Sequence, residues 1–114
     1  MPGISIHVVD VSRGKVAQGM RVSLVEVASN RVIADSLIGA NGLLDSPALA
    51  QTFVTGFYEA QFYAGDFFAA QNLASVVPFL DVITYRFGIG SPQEHYHLPM
   101  KLTPWGYSCF RGGA

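Results

Sequence analysis

Residues 94–102 read Glu94-His95-Tyr96-His97-Leu98-Pro99-Met100-Lys101-Leu102, and their alternation decides the fold class. Side chains leave a strand on opposite faces in turn, so Tyr96, Leu98 and Met100 share an apolar face while His95, His97 and Lys101 share a polar one. The same two-residue period recurs outward in both directions. Downstream, Trp105 to Arg111 reads as a strand; upstream, Val82 to Ile89 and Phe57 to Ala64 do the same. Further back lie Arg31 to Ile38 and Arg21 to Ala28, hinged on Ser29-Asn30, and the chain opens with Ile4-Ser5-Ile6-His7-Val8-Val9, ending at Asp10. Ser12 to Lys15 and Asn41-Gly42 read as turns, and the Ser46-Pro47 region as loop or a very short strand. Gly65-Asp66 closes the Phe57 to Ala64 run, and Asp66 is placed to N-cap a short helix through Phe67, Gln71, Asn72 and Leu73, stopped before Pro78. Seven or eight strands at about ten-residue spacing with one short helix predict an all-β sandwich.

Composition agrees and removes several function classes. The chain has 114 residues, enough for one domain (1–114) with a core that needs no disulfide. Half of it is hydrophobic and only 13% is charged, against ~25% in ordinary soluble domains, so much of the surface is neutral. Disorder is excluded by the same figures. A formal net charge of −1 gives no electrostatic case for nucleic acid or an anionic membrane. The longest uncharged stretch, Phe67 to Leu80, falls short of the ~20 residues of a membrane span and holds Gln71, Asn72, Ser75 and Pro78. No basic segment followed by an apolar one opens the sequence, which predicts a cytoplasmic protein, and the lone Cys109 fits a reducing compartment.

The three histidines all fall on predicted strands, each opposite the more apolar face: His7 beside Ser5 and Val9, His95 and His97 beside Lys101. Three readings stay open from patterning. Each ring satisfies a hydrogen bond on a half-buried sheet; or the His-x-His pair and His7 supply three nitrogens of an open zinc site; or an imidazole takes a proton from water as a general base.

Three segments carry a likeness to a known family. They are Ile6-His7-Val8-Val9-Asp10 with Gly14 and Ala17; Phe62-Tyr63-Ala64-Gly65-Asp66-Phe67-Phe68 with Gln71-Asn72-Leu73 and Pro78; and the ending. In the ending, His95-Tyr96-His97-Leu98-Pro99 is followed by Thr103-Pro104-Trp105-Gly106-Tyr107-Ser108 and Phe110-Arg111-Gly112. Together they resemble the 5-hydroxyisourate hydrolases, the transthyretin-like enzymes of urate degradation, over essentially the whole chain.

The resemblance implies a homotetramer, a dimer of dimers whose sites lie in an inter-dimer channel, acting on a small molecule without metal or other cofactor. Its tetrad pairs a first-strand His, matched by His7, with the second His of the His-Tyr-His block, matched by His97; these handle the proton of the attacking water. The family Arg after the Asp-Gly turn is replaced by Leu43, and the family's terminal Ser by Gly113, with Ala114 following. Leu43, Tyr107, Arg111, Gly113, His95 and Lys101 are the expected substrate-contacting positions, Lys101 as a substitute source of positive charge. The expected activity is hydrolytic opening of a cyclic imide or amide, with 5-hydroxyisourate the default substrate. Loss of a guanidinium fork makes that wall apolar. Two other readings therefore stand beside it: a divergent paralogue acting on a larger, more apolar cyclic metabolite, and a non-catalytic ligand-binding tetramer.

Overall fold

The computed structural model describes residues 2–71 and 76–113. Among these residues eight strands form two four-stranded sheets. In chain order they are β1 (Gly3–Asp10), β2 (Lys15–Val16), β3 (Arg21–Glu26), β4 (Arg31–Leu37), β5 (Gly56–Tyr63), β6 (Val82–Ile89), β7 (His95–Thr103) and β8 (Gly106–Cys109). One sheet runs β2-β1-β7-β8 and the other β4-β3-β5-β6. All pairings are antiparallel except β1 with β7, which run parallel in the register Ser5↔His97 and His7↔Pro99. Parallel neighbours need a long crossover, here the whole excursion through the second sheet.

Strict alternation holds the layers together. The inner face of the first sheet carries Ile4, Ile6, Val8, Tyr96, Leu98, Met100 and Leu102, all buried. Val22, Leu24, Tyr58, Ala60, Phe62 and Ile83 are buried with them in one core. Each large side chain so removed from water stabilises the sandwich by about 1.5–3 kcal/mol. Pro99 is tolerated in the interior of β7 because the antiparallel ladder lapses beside it: pairing with β8 ends at Met100↔Cys109 and resumes only at His97↔Gly112.

Local departures from the sequence reading have tertiary causes. Lys15, read as part of a turn, starts β2, because Ala17 N–H reaches Val8 O (3.0 Å) and holds a two-residue strand against β1. Pro47–Ala50 is a 3₁₀ helix rather than loop or strand. The short α-helix, α1, spans Ala64–Ala69, so it starts before Asp66, which is not its N-cap. The cap position is Tyr63, which lends no side-chain hydrogen bond; Gly65 N–H instead donates to Asp81 O (2.9 Å), a bond no local pattern announces. Asp66 lies in the first turn, where a carboxylate suits the helix dipole. The helix ends at Ala69, short of the expected Gln71, and the expected continuation through Asn72 and Leu73 lies outside the described residues.

Candidate active site

The parallel β1–β7 pairing puts all three histidines on the outer face of one sheet. Ser5 stands directly across from His97, and His7 lies two residues further along β1. With strands about 4.8 Å apart and a rise of about 3.3 Å per residue, the His7 and His97 Cα atoms are diagonal neighbours about 8 Å apart. All three rings are half-buried. His97 is less basic than an ordinary histidine, chiefly because burial disfavours its charged form, and nearby His7 and His95 push the same way. A ring neutral at pH 7 is the form that accepts a proton.

The Ser5 hydroxyl joins two of these rings. Its Oγ lies 2.6 Å from His97 Nδ1 and 2.8 Å from His95 Nε2. Having one proton, it donates to one ring nitrogen and accepts from the other.

On the other flank of β1, the segment after the Asn41-Gly42 reversal is fastened to the backbone. Val8 N–H donates to Gly42 O and Leu44 N–H to Ile6 O, both at 2.9 Å, making Leu43 the bridge partner of His7. Antiparallel partners point to the same side, so the Leu43 side chain stands beside His7. Asn41 Oδ1 accepts from Leu43 N–H at 3.0 Å and fixes the turn. Gly42 has φ +83°, and a Cβ there would run into the His7 ring and, at 2.7 Å, into Val16. Gly42→Ala should therefore both strain the backbone, at about 1–3 kcal/mol, and displace His7. The expected result is a lowered midpoint in urea unfolding together with a loss of any His7-dependent turnover; an unchanged midpoint would overturn this account of the turn.

At the opposite flank Gly112 N–H donates to His97 O (2.7 Å), and a Cβ at 112 would sit 3.0 Å from His97 Cδ2. The C-terminal segment thus reaches His97 by its backbone, and Gly113, exposed, follows directly. Lys101 shares the outer face and is exposed, about 8 Å from His7 and about 13 Å from His97 by strand geometry.

Two expected contacts stand elsewhere. Tyr107 pairs with Leu102, whose side chain points into the core, so its ring leaves the sheet on the inner side, at the exposed edge. The Arg111 guanidinium donates to Glu94 Oε1 (2.8 Å) and lies 4.1 Å above the ring of Tyr96, again on the side away from the histidines. Within one chain neither joins the histidine face. Ser5, Gly42 and Gly112 are the positions that sequence reasoning did not single out. Ser5 left a signal in its place on the same strand face as His7, and Gly42 in the Asn41-Gly42 turn.

Other chemistries find less support. Burial pushes the Cys109 thiol up to about 11, so it is no thiolate at neutral pH. Among the described residues no group of three His, Cys, Asp or Glu is disposed around a common point as metal ligands. No described helix is long and apolar enough to cross a membrane. Beside His95 lies an open cleft of about 360 Å³, walled by Ile4, Ile6, Leu43, Leu44 and Leu49, with Ser5, Ser46 and His95 as its polar edge.

Two facing sheets with this strand order and one short helix after β5 define a transthyretin-like sandwich. The chain belongs to the HIUase/Transthyretin family, whose model matches residues 4–112. It is 39% identical to a 5-hydroxyisourate hydrolase of Deinococcus radiodurans, over 97% of this chain and 96% of that one. It is 35% identical to the 5-hydroxyisourate hydrolase of Pseudomonas aeruginosa, over 98% and 92%. Among solved structures, 5-hydroxyisourate hydrolase of Klebsiella pneumoniae superposes with a TM-score of 0.84 at 30% identity, covering 99% of this chain and all of that one. An (S)-allantoin synthase superposes with a TM-score of 0.88 at 34% identity over 97% of this chain, which spans 43% of that longer one.

Proposed function

We propose that the chain is a hydrolase that opens a cyclic imide or amide with a water activated by His97, its default substrate 5-hydroxyisourate, in urate degradation. The observation that carries this reading is the placement of His7 and His97 as diagonal neighbours on one half-buried face, bordered by Leu43 on one flank and Gly112 on the other. The relatives named as 5-hydroxyisourate hydrolases, matched over nearly their whole length, support it.

The step balances without a cofactor. Neutral His97 takes a proton from water as the oxygen adds to the ring carbonyl; the ring C–N bond then breaks, and the departing nitrogen takes that proton from the imidazolium. His7 orients the water and shares the proton. Leu43 offers no donor to the substrate's carbonyl oxygens, and Gly113 leaves room where a hydroxyl would stand. Substrate is therefore held more weakly than an arginine would hold it.

The protein assembles as a homotetramer, a dimer of dimers with the histidine face lining an inter-dimer channel. Exposed Trp105, Tyr107 and Phe110 around the edge strand β8 support self-association. It acts in the cytoplasm as a single domain.

The test is direct. Freshly generated 5-hydroxyisourate, mixed with the pure protein, should lose its absorbance faster than in buffer, and EDTA should leave that rate unchanged. A decay no faster than buffer would overturn the urate reading; activity abolished by EDTA and restored by zinc would overturn the metal-free step. The apolar cleft bordered by Ser5 and His95 favours a second reading, a larger apolar cyclic metabolite as substrate. That reading gains if the first assay fails while the folded tetramer forms.

A further inference from the structure

A general base must present a bare nitrogen to water. His97 has two ring nitrogens, and Nδ1 is the one held by Ser5. Because the Ser5 hydroxyl also contacts His95 Nε2, the tautomers of the two rings are coupled. In one arrangement Ser5 donates to His97 Nδ1 and accepts from His95 Nε2–H; His97 then carries its proton on Nε2 and can only donate toward substrate. In the other, His97 Nδ1–H donates to Ser5, Ser5 O–H donates to His95 Nε2, and His97 Nε2 is left bare.

We propose that Ser5 and His95 act as positioning residues that hold His97 in its Nδ1–H form, leaving Nε2 as the base. The proposal rests on the hydrolase reading for its direction and on the Ser5 contacts for its coupling. It assigns Ser5 and His95 the orienting task that a buried carboxylate performs for the base in a serine-protease triad. The serine is held in place for it: it sits in the centre of β1, directly across the ladder from His97. The other titratable group bearing on His97 is His7 on β1; Lys101, on its own strand, lies about 13 Å away by strand geometry, and Arg111 is turned away to Glu94 and Tyr96. Among the described residues, Ser5 is the hydrogen-bond partner of His97 Nδ1.

The experiment reads tautomers in the free protein. In ¹⁵N-labelled wild type, long-range ¹H–¹⁵N spectra at neutral pH should show His97 protonated at Nδ1. His95→Phe removes the acceptor, so Ser5 turns its proton to His97 Nδ1, and the ring should switch to the Nε2–H form. Ser5→Ala should give a mixture, and Ser5→Thr, which keeps the hydroxyl, should restore the Nδ1–H form. With 5-hydroxyisourate as probe, kcat should fall about 10–100-fold in Ser5→Ala and His95→Phe, with KM nearly constant and recovery in Ser5→Thr. His97 protonated at Nε2 in wild type, or a tautomer indifferent to both variants, would overturn the proposal. A wild type without hydrolysis would remove the hydrolase reading, while the spectra alone would still decide the tautomer coupling.

Discussion

His97→Ala and His7→Ala are each expected to lower kcat for 5-hydroxyisourate by roughly 10²–10⁴-fold, the range for losing general acid–base help. At 1.36 kcal/mol per decade this is about 3–5 kcal/mol of transition-state stabilisation. Stability should change little, because both side chains stand on the outer face of β1 and β7 while the core lies on the other. The expected signature is a dead enzyme with a wild-type unfolding curve. pH adds a second readout. Burial lowers the His97 pKa below 6.5, so its neutral form persists into mildly acid solution, and the acid limb of kcat/KM should fall below pH 6.5. The same shift makes His97 bind protons more readily in the unfolded chain, so its contribution to stability is present above pH 6.5 and declines as pH falls below it. His95 lies outside the tetrad that the family resemblance implies, yet its contact with Ser5 makes an intermediate loss the expected result of His95→Ala. Equal, small effects at all three histidines would show that the rings are structural and would remove the hydrolase reading.

The sandwich was legible because its signal is local. A two-residue period in β1 and β7 becomes the observed buried and half-buried alternation with almost no slippage. What stayed hidden depends on partners distant in sequence. Nothing near Ser5 announces a parallel register with His97, 92 residues away, yet that register creates the site. β2 exists only because β1 offers it an edge, and α1 starts early because Asp81 caps it from across a loop. Tyr107 and Arg111 failed to reach the histidine face for a reason of parity: each lies one residue out of phase with it, Tyr107 opposite Leu102 and Arg111 next to the residue that bridges His97. Leu43 came to notice through resemblance, and the turn geometry then placed it beside His7, a position that spacing alone does not specify.

Leu43→Arg with Gly113→Ser is expected to create or raise 5-hydroxyisourate hydrolysis, most of the gain coming from Leu43→Arg. The histidine pair and the fold are already in place, and both substituted positions are on a turn or near the terminus, where a side chain can change without entering the core. Leu43 is 36% exposed and stands beside His7, so an arginine there has room and a short path to anything bound against the two imidazoles. A guanidinium would meet the negative charge that develops on the carbonyl oxygen as water adds, and an oriented donor of this kind is worth roughly 10²–10³-fold in rate. A hydroxyl at 113 offers one neutral hydrogen bond and so should add less. The gain should stop short of that full factor, because a loosely held guanidinium positions poorly. Asp45 borders the same surface hollow as position 43 and competes for the new cation, which argues for measuring Leu43→Arg with Asp45→Asn as well. If the double mutant folds as a tetramer and gains nothing even then, position 43 does not separate this chain from a urate-pathway enzyme. The apolar cleft of Leu43, Leu44 and Leu49 would then be the wall to which the true substrate is fitted.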